Sequence, residues 1–71
     1  MMKIIANNYE PKEIIKIIRE WSELTQKDFG KSINRSLRGI QDYESGRRCY
    51  NISTLLYIAK KHNLTITIEK K

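Results

Sequence analysis

The sequence predicts a mainly α fold: a compact four-helix domain with a short β-strand near each end. Three observations carry this. Four segments repeat apolar residues at helical spacing: Ile14, Ile17, Ile18 and Trp21; Phe29 and Ile33; Ile40 and Tyr43; Ile52, Leu55, Leu56 and Ala59. Polar and glycine punctuation separates them, with Thr25, Ser36 and Asn51 as N-caps and Gly46 and Asn63 as stops. The last segment, Leu64–Glu69, alternates strictly between apolar and polar residues, which is the period of a strand. Residues 1–71 read as one domain, with a helical core over about 11–63 and terminal strands at about 2–6 and 65–69.

In chain order, Met2, Ile4 and Ala6 share one face of the first expected strand, and Asn7-Asn8-Tyr9 reads as a loop. Pro11 suits the first position of a helix, with Glu10 as its cap and Glu13 in its first turn. That helix is expected over Pro11–Ser22, with Lys16–Glu20 and Arg19–Glu23 as pairs across one turn. Thr25 and Asp28 form a capping-box pattern for a second helix, Gln26–Ile33. Gly30 has no side chain and so admits close approach by another helix. Asn34 and Arg35 break the pattern, and Asn tolerates the left-handed backbone of a sharp turn. Ser36 caps a third helix, Leu37–Ser45, whose inward stripe is Ile40 and Tyr43. Its outward residues are Leu37, Arg38, Gln41 and Asp42. Asn51 caps a fourth helix, Ile52–His62, with Ile58 beside its buried stripe.

Two short helices joined by a tight turn are marginal alone, so their arrangement is the informative feature. Arg38 and Gln41 have the donors and acceptors for bidentate bonds to base edges, and Leu37 suits a thymine methyl. With Asp42 these are the candidate base contacts of a DNA-reading helix-turn-helix. Charge agrees. The net charge is +6. Residues 1–24 balance to zero, so the whole excess follows Leu24. There Lys27, Lys31, Arg35, Arg38, Arg47 and Arg48 surround the reading unit. Clustered basic charge in a small domain attracts a polyanion; the alternative is a solvated surface that maintains solubility.

These residues resemble the Cro/XRE-type helix-turn-helix family, the lambda-repressor-like DNA-binding domains. The resemblance rests on Arg19, Thr25-Gln26, Gly30, Ile40, Tyr43-Glu44-x-Gly46, Leu55-Leu56 and Ala59, and covers about residues 11–64. The chain departs from the family pattern at Asn34, where glycine is usual, and at Arg35, where a small apolar residue is common. It departs again at Gly39, inside the third helix, and at His62, where an apolar residue is preferred. The resemblance implies an ion pair between Arg19 and Glu44 that ties the first helix to the third; the alternative is two ordinary surface charges.

The expected function is therefore a sequence-specific regulator of transcription. Its third helix enters the major groove of double-stranded DNA. Gln26, Lys27, Arg35, Ser36, Arg47 and Arg48 are the expected phosphate contacts. Tyr50 either packs at the loop edge or donates to phosphate. In so short a chain the simplest mechanism is a repressor that occludes a promoter. A homodimer paired through the terminal strands would read a palindromic operator, and the alternative is an intramolecular ribbon. A second functional reading is an antitoxin-type module that binds a toxin protein and autoregulates its operon. An enzyme is not expected, because the lone His62, the lone Cys49 and the spacing of the carboxylates offer no acid–base or nucleophilic set. No cofactor or metal is expected either, for want of a second His or Cys at ligand spacing. Neither a membrane span nor a signal peptide is evident, and Cys49 suits a reducing, cytoplasmic setting. An RNA-binding role would want aromatic stacking residues that the chain lacks.

Overall fold

A computed structural model describes residues 2–71. A 3₁₀ turn, η1 (Ala6–Asn8), precedes four helices: α1 (Pro11–Trp21), α2 (Gln26–Ser32), α3 (Leu37–Ser45) and α4 (Ile52–Lys61). The helix starts follow the capping chemistry. The Thr25, Ser36 and Asn51 side chains accept from the backbone N–H groups of Asp28, Gly39 and Thr54 at 3.1, 3.0 and 2.8 Å. At α1, which begins with Pro11, the Glu13 carboxylate accepts from the Glu10 N–H at 2.9 Å.

The helix ends share one device. Glu23, Asn34, Gly46 and Asn63 each follow a helix in the left-handed conformation, with φ of 57°, 58°, 83° and 55°. After α2 the Arg35 N–H reaches back to the Gly30 carbonyl at 2.8 Å, and after α4 the Leu64 N–H reaches the Ala59 carbonyl at 2.8 Å. Both are Schellman closures with asparagine in the place glycine usually takes. Glutamate carries no sequence signal for this conformation, so Glu23 differs in kind from Asn34, Gly46 and Asn63.

The core is built on Ile15, Ile18, Phe29, Ile33, Ile40, Tyr43 and Ile58. Ile14, Leu24, Tyr50, Leu55, Tyr57 and Leu64 pack around it. Two details differ from the sequence pattern. Ile15 is fully buried at the centre of α1, whereas Ile14 and Ile17 lie at its margin. In α4 the buried residues are Thr54, Ile58 and Ala59, whereas Ile52 and Leu56 are exposed. Apolar residues occur on both sides of α4, so periodicity alone set the buried stripe on Ile52 and Leu56, and packing turns Ile58 inward instead.

The expected terminal strands are not formed. Among the described residues there is no β-strand, and residues 64–71 have neither helix nor strand. η1 occupies the end of the first expected strand. Alternation assigns faces but supplies no ladder partner, and an unpaired segment leaves its backbone groups to water. Of Leu64, Ile66 and Ile68, only Leu64 packs on the core, and Ile68 is 95% exposed.

His62 closes the end of the bundle. Its ring stacks on Phe29, with centroids 5.1 Å apart. Nδ1 lies 3.3 Å from the Ser22 Oγ and Nε2 2.9 Å from the Ser32 Oγ. The serine hydroxyls also lie within bonding distance of carbonyls of their own helices, Ile18 O at 2.9 Å and Phe29 O at 2.7 Å. With one N–H on the neutral ring, one serine accepts from His62 and donates to its carbonyl while the other donates to the ring. Partial burial lowers the His62 pKa, and the ring joins α1, α2 and α4 where an aliphatic residue would only fill space.

Gly30 fixes how tightly the turn closes. A Cβ there would lie 2.6 Å from the Arg35 carbonyl oxygen and 3.2 Å from Ile40 Cγ1. The obstacle at 2.6 Å is backbone, which cannot swing aside as a side chain can. Gly30→Ala is therefore expected to destabilise the fold by about 1–3 kcal/mol through overpacking. A clash with backbone belongs in the upper part of that range, so it outweighs the roughly 1 kcal/mol that alanine gains in an unconstrained helix. Thermal unfolding checks this: the melting temperature should fall by about 5 °C or more.

Candidate nucleic-acid interface

The site is assembled on α3, and α3 is held by Glu44. Arg19 of α1 grips its carboxylate with two bonds, Nε to Oε2 at 2.7 Å and Nη2 to Oε1 at 3.1 Å. The third arm of the guanidinium, Nη1, donates to the Leu24 carbonyl at 3.0 Å. Gln26 Nε2 at the start of α2 adds a bond to Glu44 Oε1 at 3.3 Å. One carboxylate thus collects donors from α1 and α2 while Arg19 also pins the loop between them. Both side chains are largely out of water, at 17% exposure for Arg19 and 7% for Glu44. Donation to the Glu44 carboxylate holds the guanidinium pKa above its ordinary value, against the opposing effect of burial.

The turn and the loop that flank α3 are also tied down. Arg35 Nη2 lies 3.4 Å from the buried Thr54 Oγ1, and Asn34 Nδ2 lies 3.3 Å from the Tyr57 Oη. Both bonds anchor the α2–α3 turn on α4. Tyr50 packs edge-on against Tyr43, and its hydroxyl donates to the Pro11 carbonyl at 2.5 Å. Of the two roles open to Tyr50, the structure shows the packing one. Burial, with a smaller contribution from Cys49, pushes its pKa up to about 12. Cys49 is free and exposed.

On this frame Leu37, Arg38 and Gln41 are exposed along one side of α3. Lys27, Arg35, Ser36, Arg47 and Arg48 are exposed around them, and Gln26 is half-buried. Gly39 sits in the first turn, where its N–H serves the Ser36 cap. Asp42 departs from the outward position expected of it. It is buried, and its Oδ1 faces Arg38 Nε at 3.3 Å and Arg47 Nη1 at 3.7 Å. Position 42 lies beside the inward Tyr43, so the short Asp side chain remains in the shadow of the helix where the longer Gln41 reaches water.

The helix-turn-helix family model matches residues 15–68. The chain belongs to the Cro/XRE-type helix-turn-helix family. No curated protein and no solved structure matches it. As a member of this family it is a DNA-binding regulator of transcription in the general sense, from a class of domains that are generally not enzymes. Among the described residues, no helix is long and apolar enough to cross a membrane. Nor does any group of three His, Cys, Asp or Glu stand together as a metal site among them. For this Cro/XRE-type chain the sequence carried no signal of the Gln26–Glu44 and Arg35–Thr54 bonds, since each joins residues far apart in the chain through flexible side chains.

The Glu44 clamp makes a quantitative expectation. Removing one partner of a buried ion pair leaves the other unpaired, at about 3–5 kcal/mol. Glu44→Ala should lie near the lower end, about 3 kcal/mol, because Arg19 retains some contact with water. In a chain of this size the melting temperature should fall by about 15 °C without DNA. A double-mutant cycle with Arg19→Ala should return a clear coupling energy. Additive single effects would show that the two side chains do not stabilise each other.

Proposed function

We propose that this protein is a sequence-specific repressor that reads an operator in duplex DNA with α3 and acts by occluding a promoter. The observation that carries this is the pairing of a clamped helix with an outward row of readers. Leu37, Arg38 and Gln41 are exposed on a helix whose base is held by Arg19, Glu44 and Gln26. A reading side chain discriminates between bases only when its backbone does not yield. In this reading Arg38 and Gln41 bond to base edges and Leu37 meets a thymine methyl. Lys27, Ser36, Arg47 and Arg48 contact phosphate and fix the register. Gln26 and Arg35 combine a phosphate contact with the internal bonds described above. The excess of positive charge after Leu24 supplies the salt-dependent part of the affinity.

In this proposal two copies bind a palindromic operator, with half-sites about 34–36 Å apart on one face of the duplex. The exposed Ile52, Leu56, Ile66 and Ile68 support association with another protein chain. The same four side chains favour a second reading, an antitoxin-type regulator whose partner chain is a toxin. Either regulator would meet its operator in the cytoplasm, where Cys49 stays reduced.

Selection from random duplexes, followed by binding of variants to the selected site, tests the reading. Arg38→Ala should cost about 1–3 kcal/mol on that site and relax preference at one base position. Arg47→Ala and Arg48→Ala should weaken all duplexes alike and lower the salt dependence. If Arg38→Ala weakens random DNA as much as the selected site, Arg38 is a phosphate contact and α3 does not read bases through it.

A further inference from the structure

Asp42 is a negative charge in a surface that the proposed function assigns to a polyanion. A groove that only attracted phosphate would gain by losing it. Its surroundings give it a different use. The Asp42 side chain is 12% exposed, while Arg38 and Arg47 beside it are 73% and 66% exposed. Arg38 is one helical turn before Asp42 and shares its side of α3. With Gln41 and Ser45, these three line one shallow groove. The main chain at Asp42 is tied down at the end of α3, and its carboxylate meets the two arginines. The Asp42 carbonyl accepts from the Arg48 N–H at 3.2 Å and the Ser45 hydroxyl at 3.1 Å, which knit the end of α3 to the loop after it.

We propose that Asp42 is a positioning residue that sets the base preference of the protein by orienting Arg38. This rests on the reading of α3 as the base-reading helix. The bond to Asp42 uses Arg38 Nε, which leaves the Nη1 and Nη2 donors free at the tip. Two parallel donors are what guanine O6 and N7 accept in the major groove. An arginine that is otherwise mostly in water is thus held in one direction before DNA arrives, and less side-chain freedom is lost on binding. The same carboxylate has a second effect. It repels phosphate and competes for Arg47, so it weakens binding to random DNA, where no guanine compensates. Specificity is a difference between two affinities, and Asp42 acts on both sides of it.

The test measures binding of the native chain, Asp42→Ala, Asp42→Asn and Arg38→Ala to three duplexes. These are the selected site, that site with the base pair read by Arg38 changed, and random DNA. The base pair is the one at which Arg38→Ala loses preference, and it is expected to be G·C. Asp42→Ala should lower discrimination at that pair by roughly tenfold and bind random DNA a few-fold more tightly, with unchanged helix content. Asp42→Asn keeps an acceptor for Nε without the charge. It should retain part of the discrimination and show the same tightening on random DNA. A residue that merely supported the fold would weaken all three duplexes by one factor, and that result overturns the proposal.

Preference that persists unchanged in Asp42→Ala overturns the role of Asp42 and leaves the reading of α3 standing. Absence of any base preference in the native chain overturns that reading, and the proposal with it. Should the variants fail to fold, relaxation of the arginine Nε–H signals in the free native chain decides. Arg38 should be ordered well beyond Arg48, and equal mobility of the two overturns the proposal.

Discussion

The bidentate contact between Arg19 and Glu44 is the constraint on which the geometry of this small protein depends. With 71 residues there is little core to spare, and a chain of this length is near the limit of independent stability. Apolar packing alone leaves short helices free to slide, because dispersion contacts are weak individually and have no direction. A carboxylate met in its plane by two guanidinium donors is directional. It fixes α3 against α1 in distance and in rotation. The remaining guanidinium arm on the Leu24 carbonyl and the Gln26 amide on Glu44 extend the same fixation to the start of α2. What Arg19 and Glu44 control is therefore the direction in which Leu37, Arg38 and Gln41 point.

The close turn between α2 and α3 is the complementary constraint. Gly30 lets the Arg35 carbonyl fold back onto α2, and Asn34 adopts the left-handed backbone that the reversal requires. Asparagine bears a modest conformational cost that glycine would avoid. Its side chain offsets this by reaching Tyr57, and Arg35 reaches Thr54. Asn34 and Arg35, two of the positions at which the chain departs from the family pattern, thus become the two struts that hold the turn on α4. His62, another departure, acts likewise at the end of α4, where its ring lies between serines at the ends of α1 and α2.

Much of this was legible in the residues because the deciding physics is local. A cap is a side chain and a backbone N–H within one turn, so Thr25, Ser36 and Asn51 marked the starts of α2, α3 and α4. A burial stripe is a periodicity, so Phe29, Ile33, Ile40 and Tyr43 emerged as core. Local reasoning failed where the answer depends on a distant partner. Leu64–Glu69 has the alternation of a strand, yet nothing among the described residues pairs with it. In α4, Ile52 and Leu56 are as apolar as Ile58, and only the position of the other helices decides which side turns inward. Asp42 could be assigned to the outward side of α3 from its position, but its burial between two arginines follows from side-chain length and from the path of the loop after Gly46.

Together these features give one face with exposed cationic side chains around a clamped helix, and an end of α4 closed by His62. That division is the central claim. Titration of the isotopically labelled chain with a selected duplex, followed through backbone amide shifts, tests it most directly. The account predicts that the changes gather over Thr25–Lys27 and Ser36–Arg48, with Trp21, His62 and Ile68 left unmoved. Changes centred instead on Ile52–Leu56 or on the segment after Asn63, with α3 silent, would contradict it.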